Sequence, residues 1–187
     1  MKILFLFMLP AALLCGCAGV GSEPQSHQDK FTGTTINSTT YNDINDGVLN
    51  NLPFYLDMRQ EIDDRGTNYF LLIGGYQAAP GPGESLFILA DTNRLVFRTE
   101  MKFIQGKFGP MFFYPADPES LTQIATASSV ELRLITASGH NWERKLYAKN
   151  RKNFYDFVTR YVTTNLPPFS ATAARVKPTA VNSPKGH

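Results

Sequence analysis

The chain has 187 residues, of which 43% are hydrophobic and 12% aromatic, and its formal net charge at pH 7 is +2. So small an excess of positive charge argues against nucleic-acid binding, which uses a strongly basic surface. The hydrophobic fraction is sufficient for one globular domain with a substantial core. The only cysteines are Cys15 and Cys17, near the N-terminus, so the body of the chain cannot form an internal disulfide bond.

The first 16 residues are typical of an export signal. Lys2 supplies a positive charge, and residues 3–14 form a run of twelve almost entirely apolar residues. A helix of that length spans about 18 Å, whereas the hydrocarbon core of a bilayer is about 30 Å thick. The run is therefore too short to cross a membrane and is predicted to be the hydrophobic core of a signal peptide.

The sequence Leu14-Cys15-Gly16-Cys17 resembles the lipobox of bacterial lipoproteins, in which a leucine stands three residues before the lipidated cysteine and a small residue directly before it. The resemblance implies cleavage after Gly16 and attachment of a diacylglyceryl group and an N-acyl chain to Cys17. An anchor of several acyl chains holds a protein stably on a membrane, where one chain is marginal. Acylation would also account for the single cysteine that remains. The alternative is an ordinary secretory signal that is cleaved elsewhere.

The lipobox implies a location in the bacterial cell envelope, with the membrane as a partner through the lipid anchor. Ala18 occupies the position where an aspartate retains lipoproteins at the inner membrane of enteric-type bacteria, so the outer membrane, facing the periplasm, is expected. Residues 1–16 contain one lysine and no acidic residue, so cleavage lowers the net charge to +1. Export makes a nucleic-acid partner less plausible still.

Composition along the chain predicts four segments. Residues 1–16 are the signal peptide, 17–50 the lipidated cysteine and a flexible tether, 51–166 a single globular domain, and 167–187 a disordered tail. The tether is assigned because its residues are mostly small and polar, and the tail because its Ala, Pro, Lys and Thr residues offer little to bury.

Within residues 51–166, five segments are predicted to be strands because they are apolar or alternate between apolar and polar residues. They are 53–61, 68–79, 85–90, 95–103 and 108–114. Asp117, Pro118 and Glu119 then provide a cap, a proline and an acid for the start of a short helix over 117–127. Two further strands, 130–134 and 142–148, form a hairpin.

A C-terminal helix follows, with Asn150 as its predicted cap. Its apolar residues recur at helical spacing, which is the pattern of a helix lying on a core: Phe154, Phe157, Val158, Tyr161 and Val162. Because the connections between strands are short, the strands are expected to pair antiparallel. The predicted fold is α+β: an antiparallel sheet or half-open barrel of about seven strands, with a short helix and a C-terminal amphipathic helix.

No credible catalytic or metal-binding set is visible in the sequence. His140 is the only histidine between residues 51 and 166, and it lies at a hairpin tip, where an exposed and inert side chain is expected. The sequence offers neither a histidine pair nor a free thiol to bind zinc. Residues 42–47 are rich in Asp and Asn, but they lack the downstream glutamate of a calcium-binding loop. Asp63 and Asp64 are adjacent on a strand and so should point to opposite faces. We therefore predict no catalytic residue, metal or cofactor.

One group of charges stands out near the last helix. Five cations lie within nine residues, offset by Glu143: Arg144, Lys145, Lys149, Arg151 and Lys152. The last three stand at the start of the helix, where the helix dipole disfavours positive charge. One interpretation is contact with an anionic partner such as lipid head groups, an acidic protein face or a glycan phosphate. The alternative is a solvated corner whose cations pair with acids elsewhere in the fold.

The sequence thus predicts a membrane-anchored envelope lipoprotein that is not an enzyme and acts as a binding, accessory or assembly factor, with an envelope protein or an anionic polymer as its partner. A mainly structural role is hard to separate from this one. The alternative is a small envelope hydrolase that uses carboxylates brought together by the fold.

Overall fold

The computed structural model describes residues 22–44, 54–75 and 79–169. The predicted signal peptide, Cys17 and most of the predicted tail lie outside these residues. The described part contains ten strands and two helices, and every strand pair is antiparallel. The elements are β1 (Ser22–Gln28), β2 (Thr35–Thr40), β3 (Phe54–Asp63), β4 (Gly66–Gly75), β5 (Glu84–Ala90), β6 (Asn93–Arg98), β7 (Phe103–Gly106), β8 (Gly109–Ala116), α1 (Pro118–Thr126), β9 (Val130–Ile135), β10 (Asn141–Lys145) and α2 (Ala148–Tyr161).

The strands form two sheets. The large sheet has the order β1-β2-β3-β4-β8-β7, and the small sheet has the order β10-β9-β5-β6. One of the two is curled into a half-barrel. The predicted α+β class with antiparallel pairing is confirmed at this level, but the described residues form more strands than the seven that were expected.

The main core lies between the two sheets and the helices. Phe54, Leu56 and Met58 of β3 point into it, and Phe154 and Phe157 of α2 cover it. Side chains from the small sheet complete the core: Leu86, Ile88, Leu132 and Leu134. Full burial of one such side chain contributes about 1.5–3 kcal/mol, so this core is the main source of stability. The apolar stripe predicted for α2 is confirmed.

A second, smaller core covers the other face of the large sheet. It consists of Tyr55, Phe70, Leu72, Met111 and Phe113, with Tyr41 and Phe108 packed against it. The central strands β3, β4 and β8 are therefore buried on both faces. That double burial explains why β4 reads as a continuous apolar run rather than an alternating one.

The prediction of a flexible tether over residues 17–50 is wrong for residues 22–44, which contain β1 and β2. β1 pairs with β2, and β2 pairs with β3, so the segment forms one edge of the large sheet. These strands are polar because backbone pairing and buried side-chain hydrogen bonds hold them, with little apolar burial. Asn37 donates to Gln60 Oε1 at 2.6 Å, and Thr39 donates to Asp57 Oδ1 at 3.0 Å.

The single strand predicted over 95–103 is two strands. β6 belongs to the small sheet and β7 to the large one, and Met101 between them has a φ of 57°. A methionine rarely adopts this left-handed conformation, which marks the point where the chain passes from one sheet to the other.

Both helices have defined starts. Asp117 caps α1, as predicted, by accepting from the Ser120 amide at 2.7 Å. α2 begins earlier than predicted: Tyr147 is its cap residue, and Asn150 Oδ1 accepts from the Tyr147 amide at 3.2 Å. Asn150 is therefore the third residue of the helix, and its side chain reaches back to the cap.

Candidate functional site

The outer face of the small sheet is the candidate site. Leu86 and Ile88 of β5 are fully buried in the core. Strand alternation therefore sends Phe87 and Leu89 to the outer face. Val96 of β6 is the cross-strand partner of Phe87. Leu89 and Val96 are each 43% exposed, so an apolar strip lies open to solvent on this face.

A shallow groove of about 550 Å³ runs across this outer face. Its lining combines apolar side chains of β5 with charged side chains from β6, β9 and β10. The lining residues are Phe87, Ile88, Leu89, Arg94, Glu131, Leu132, Arg133, Glu143, Arg144 and Lys145. An apolar centre with a charged border is the usual make-up of a protein-binding surface.

The charges on this face are held by weak, exposed contacts. Arg133 pairs with Glu143 at 2.7 Å, and Lys145 pairs with Glu131 at 3.6 Å. The Arg94 guanidinium lies 5.2 Å from the centre of the Phe87 ring. Solvent-exposed ion pairs contribute about 0–1 kcal/mol each, so a partner can replace them at little cost.

The five cations predicted to meet an anionic partner lie on two elements, two of them in β10 and three in α2. Arg144 and Lys145 both line the groove, but strand alternation directs them to opposite faces of β10. Lys145 points outward toward Glu131. The Arg144 guanidinium lies 5.5 Å from the ring centre of Trp142 and donates to the Glu143 carbonyl at 2.7 Å.

The three cations of α2 are not one patch. Arg151 is buried, and its Nη1 donates at 2.9 Å to the carbonyl of Ala127, which caps the C-terminal end of α1. A cation is favoured at that end of a helix, which accounts for its placement. Lys152 pairs with Asp156 at 2.5 Å, one turn along α2, and Lys149 is exposed. Contact of the five cations with an anionic partner stays a prediction, and buried Arg151 is poorly placed to take part.

Sequence reasoning missed Phe87, Leu89, Arg94 and Val96. The apolar run of β5 predicts a strand but does not show that one of its two faces is left uncovered. The alternation of β6, with Arg94 and Val96 on one face, is the only local signal of an outer face.

A second groove of about 550 Å³ lies at the end of the large sheet near the β3–β4 turn. Three acidic residues line it, Glu61, Asp63 and Glu100, together with Lys102. Glu61 is already paired with Arg59 at 2.7 Å. Asp63 accepts from the backbone amide of Arg65 at 2.9 Å, which stabilises the turn.

A buried carboxylate, Asp57, organises the end of β2. Its oxygens accept from the Thr39 hydroxyl at 3.0 Å and from the backbone amides of Tyr41 and Asn42 at 3.0 and 2.9 Å. Burial raises the pKa of Asp57 to about 7, although these three donors favour the charged form. Because all three donors belong to one bend of the chain, the role of Asp57 is to fix that bend.

Asn42 extends this network to the last helix. Its side-chain oxygen accepts from Asn150 and Asn153, each at 3.0 Å, and Asn150 also donates to the carbonyl of Asp43 at 2.8 Å. The start of α2 is therefore attached to the same end of the large sheet as the bend that Asp57 holds.

His140 lies at the tip of the β9–β10 hairpin and is exposed, as predicted. Its Nδ1 is 3.0 Å from the Ser138 hydroxyl, within the same turn. Across residues 22–44, 54–75 and 79–169, no group of three or more His, Cys, Asp or Glu side chains is placed to hold a metal ion. Of the segment 42–47, weighed above as a calcium loop, the part after Ile44 lies outside the described residues.

Comparison of the chain with protein-family models, with curated proteins and with solved structures found no match. Neither helix of the described part is long and apolar enough to cross a membrane.

Proposed function

We propose that this protein is a lipid-anchored component of the bacterial cell envelope, held on the membrane through Cys17, and that its domain binds a protein partner as an accessory or assembly factor. The lipobox supports the anchor. The outer face of the small sheet supports the binding role, and one observation carries it: Leu89, in a groove bordered by charges, and Val96, on the same sheet face, are each 43% exposed.

The chemistry of the groove favours a partner with an apolar side chain flanked by an acidic one. The apolar group would cover Leu89 and Val96, and the acid would meet Arg94, which has no ion pair among the described residues. Apolar contact at the centre supplies affinity, while the bordering charges set orientation and exclude other partners.

A photo-crosslinking amino acid tests this proposal in intact cells. Placed at Leu89, it should give one recurrent crosslinked protein, and Arg94→Glu should weaken that product. Phe31 is the matched control, because it is fully exposed but lies in the β1–β2 turn, away from the groove. No product at Leu89, or the same products at Phe31, would contradict the proposal.

The hydrolase alternative has its own location, the groove lined by Glu61, Asp63 and Glu100. If that groove were catalytic, Glu100→Gln would abolish turnover of an envelope polymer and leave the crosslink at Leu89 unchanged. A screen for hydrolysis of envelope glycans and peptides with the wild type and this variant separates the two candidates.

A further inference from the structure

The position of the first strand limits how the domain can sit on a membrane. β1 begins at Ser22, five residues after Cys17. Five residues extend at most about 18 Å, even if fully stretched. If Cys17 carries the lipid, as proposed above, the start of β1 must lie within that distance of the membrane surface.

One end of the large sheet, which we call the anchor end, contains the start of β1. Ser22 is the cross-strand partner of Thr40, so the anchor end also holds Tyr41. Tyr41 packs edge-on against Phe108 with ring centres 5.6 Å apart, and its hydroxyl accepts from the backbone amide of Lys107 at 3.0 Å. The β7–β8 turn therefore lies at this end.

The first turn of α2 lies at the anchor end as well. The Asn150 side chain donates to the carbonyl of Asp43 at 2.8 Å, and Asp43 forms a backbone β-bridge with Tyr55 of β3. Lys149 and Tyr147 precede Asn150 and are both exposed. The anchor end thus displays two lysines beside aromatic side chains, the composition that proteins use at a membrane interface.

The opposite end of the large sheet is acidic. The β3–β4 turn carries Asp63 and Asp64, with Arg65, and the start of α1 follows β8 at the same end. Asp117 and Glu119 lie there. An anionic membrane surface attracts lysines and repels carboxylates within about 10 Å, so the charge distribution favours the same orientation as the anchor.

We infer that the domain rests on the membrane with its anchor end down, and that Lys107 and Lys149 contact anionic lipid head groups while Tyr41, Phe108 and Tyr147 lie at the interface. This inference depends on the proposed acylation of Cys17. It leaves the acidic end pointing away from the membrane.

Depth-dependent quenching tests the orientation. The lipidated protein is purified from membranes and reconstituted into phosphatidylcholine vesicles that contain phosphatidylglycerol and a spin-labelled lipid. A fluorophore is attached to Gln105→Cys, near the anchor end, or to Asp64→Cys, at the opposite end. Both positions are exposed. Strong quenching at 105 and weak quenching at 64 is expected, and equal quenching, or stronger quenching at 64, would overturn the inference.

Charge reversal tests the head-group contact. Lys107→Glu with Lys149→Glu should remove the dependence of quenching at 105 on phosphatidylglycerol, since each lysine near an anionic surface changes partitioning about fivefold. Unchanged dependence would overturn the contact. The mass of the N-terminal peptide in the same preparation separates the two proposals. An unacylated Cys17 overturns the proposed anchor and this inference together, whereas acylation with equal quenching overturns this inference alone.

Discussion

Replacing Asp57 with asparagine should change how the stability of the domain depends on pH. In the folded protein, burial raises the pKa of Asp57 to about 7, from an ordinary value of 3.8. Between these two values the folded state binds a proton that the unfolded state has released. The stability that Asp57 contributes is therefore greatest below pH 3.8 and is lost as the pH rises toward 7.

The size of the effect follows from the two pKa values. The whole loss amounts to at most about 4 kcal/mol, and more than half of it falls between pH 5 and pH 8. Asparagine cannot ionise, so Asp57→Asn lacks this slope. Its oxygen can keep the bonds from Thr39 and Asn42, but its amide faces the Tyr41 amide. The lost bond adds a cost of about 1–3 kcal/mol at every pH.

Urea denaturation of both proteins at several pH values measures this difference. The free energy of unfolding of the wild type, minus that of Asp57→Asn, should fall as the pH rises from 5 to 8. Asp64→Asn, in the exposed β3–β4 turn, is the matched control and should follow the wild type within about 0.5 kcal/mol. A difference that is constant or rises with pH would refute the reasoning about Asp57.

Two further changes test the packing. Arg151→Met should lower the free energy of unfolding by about 1.5–3 kcal/mol, because it removes a charged hydrogen bond to the Ala127 carbonyl. Lys149 is exposed on the same helix, so Lys149→Met should change the free energy of unfolding by less than about 0.5 kcal/mol. Equal effects of the two substitutions would contradict the buried role of Arg151. Gly74→Ala should lower the free energy of unfolding by about 1–3 kcal/mol in a urea melt, because the new Cβ would lie 2.6 Å from the Pro110 carbonyl and against the Met111 sulfur. An unchanged free energy of unfolding would contradict the close packing of β4 against β8.

Hydrophobic periodicity was sufficient to find the elements that bury apolar side chains. The helical spacing of Phe154 and Phe157 predicted α2. The capping residue Asp117 added the start of α1. β1 and β2 were not predicted from the sequence, because these strands are held by backbone pairing and by hydrogen bonds of Asn37 and Thr39. Such contacts leave no periodic apolar pattern in the sequence. A polar edge strand and a polar linker have the same composition, so composition alone could not separate them.

The cations near α2 show a different limit. Their closeness in sequence suggested one patch, yet strand alternation separates Arg144 from Lys145. Arg151 lies three residues before Phe154 and seven before Val158, so helical periodicity places it on the buried face. That spacing could have been read from the sequence. The exposed strip at Leu89 and Val96 could not, because it depends on which sheet face the rest of the chain leaves uncovered.

The proposed membrane anchor and the membrane orientation both rest on Cys17, so labelling with radioactive palmitate in cells is the most direct test. The wild type should incorporate label, and Cys17→Ser should not. Cys15→Ser is the matched control and should keep the label, because Cys15 belongs to the segment that is predicted to be removed. Equal labelling of the wild type and Cys17→Ser would contradict the account.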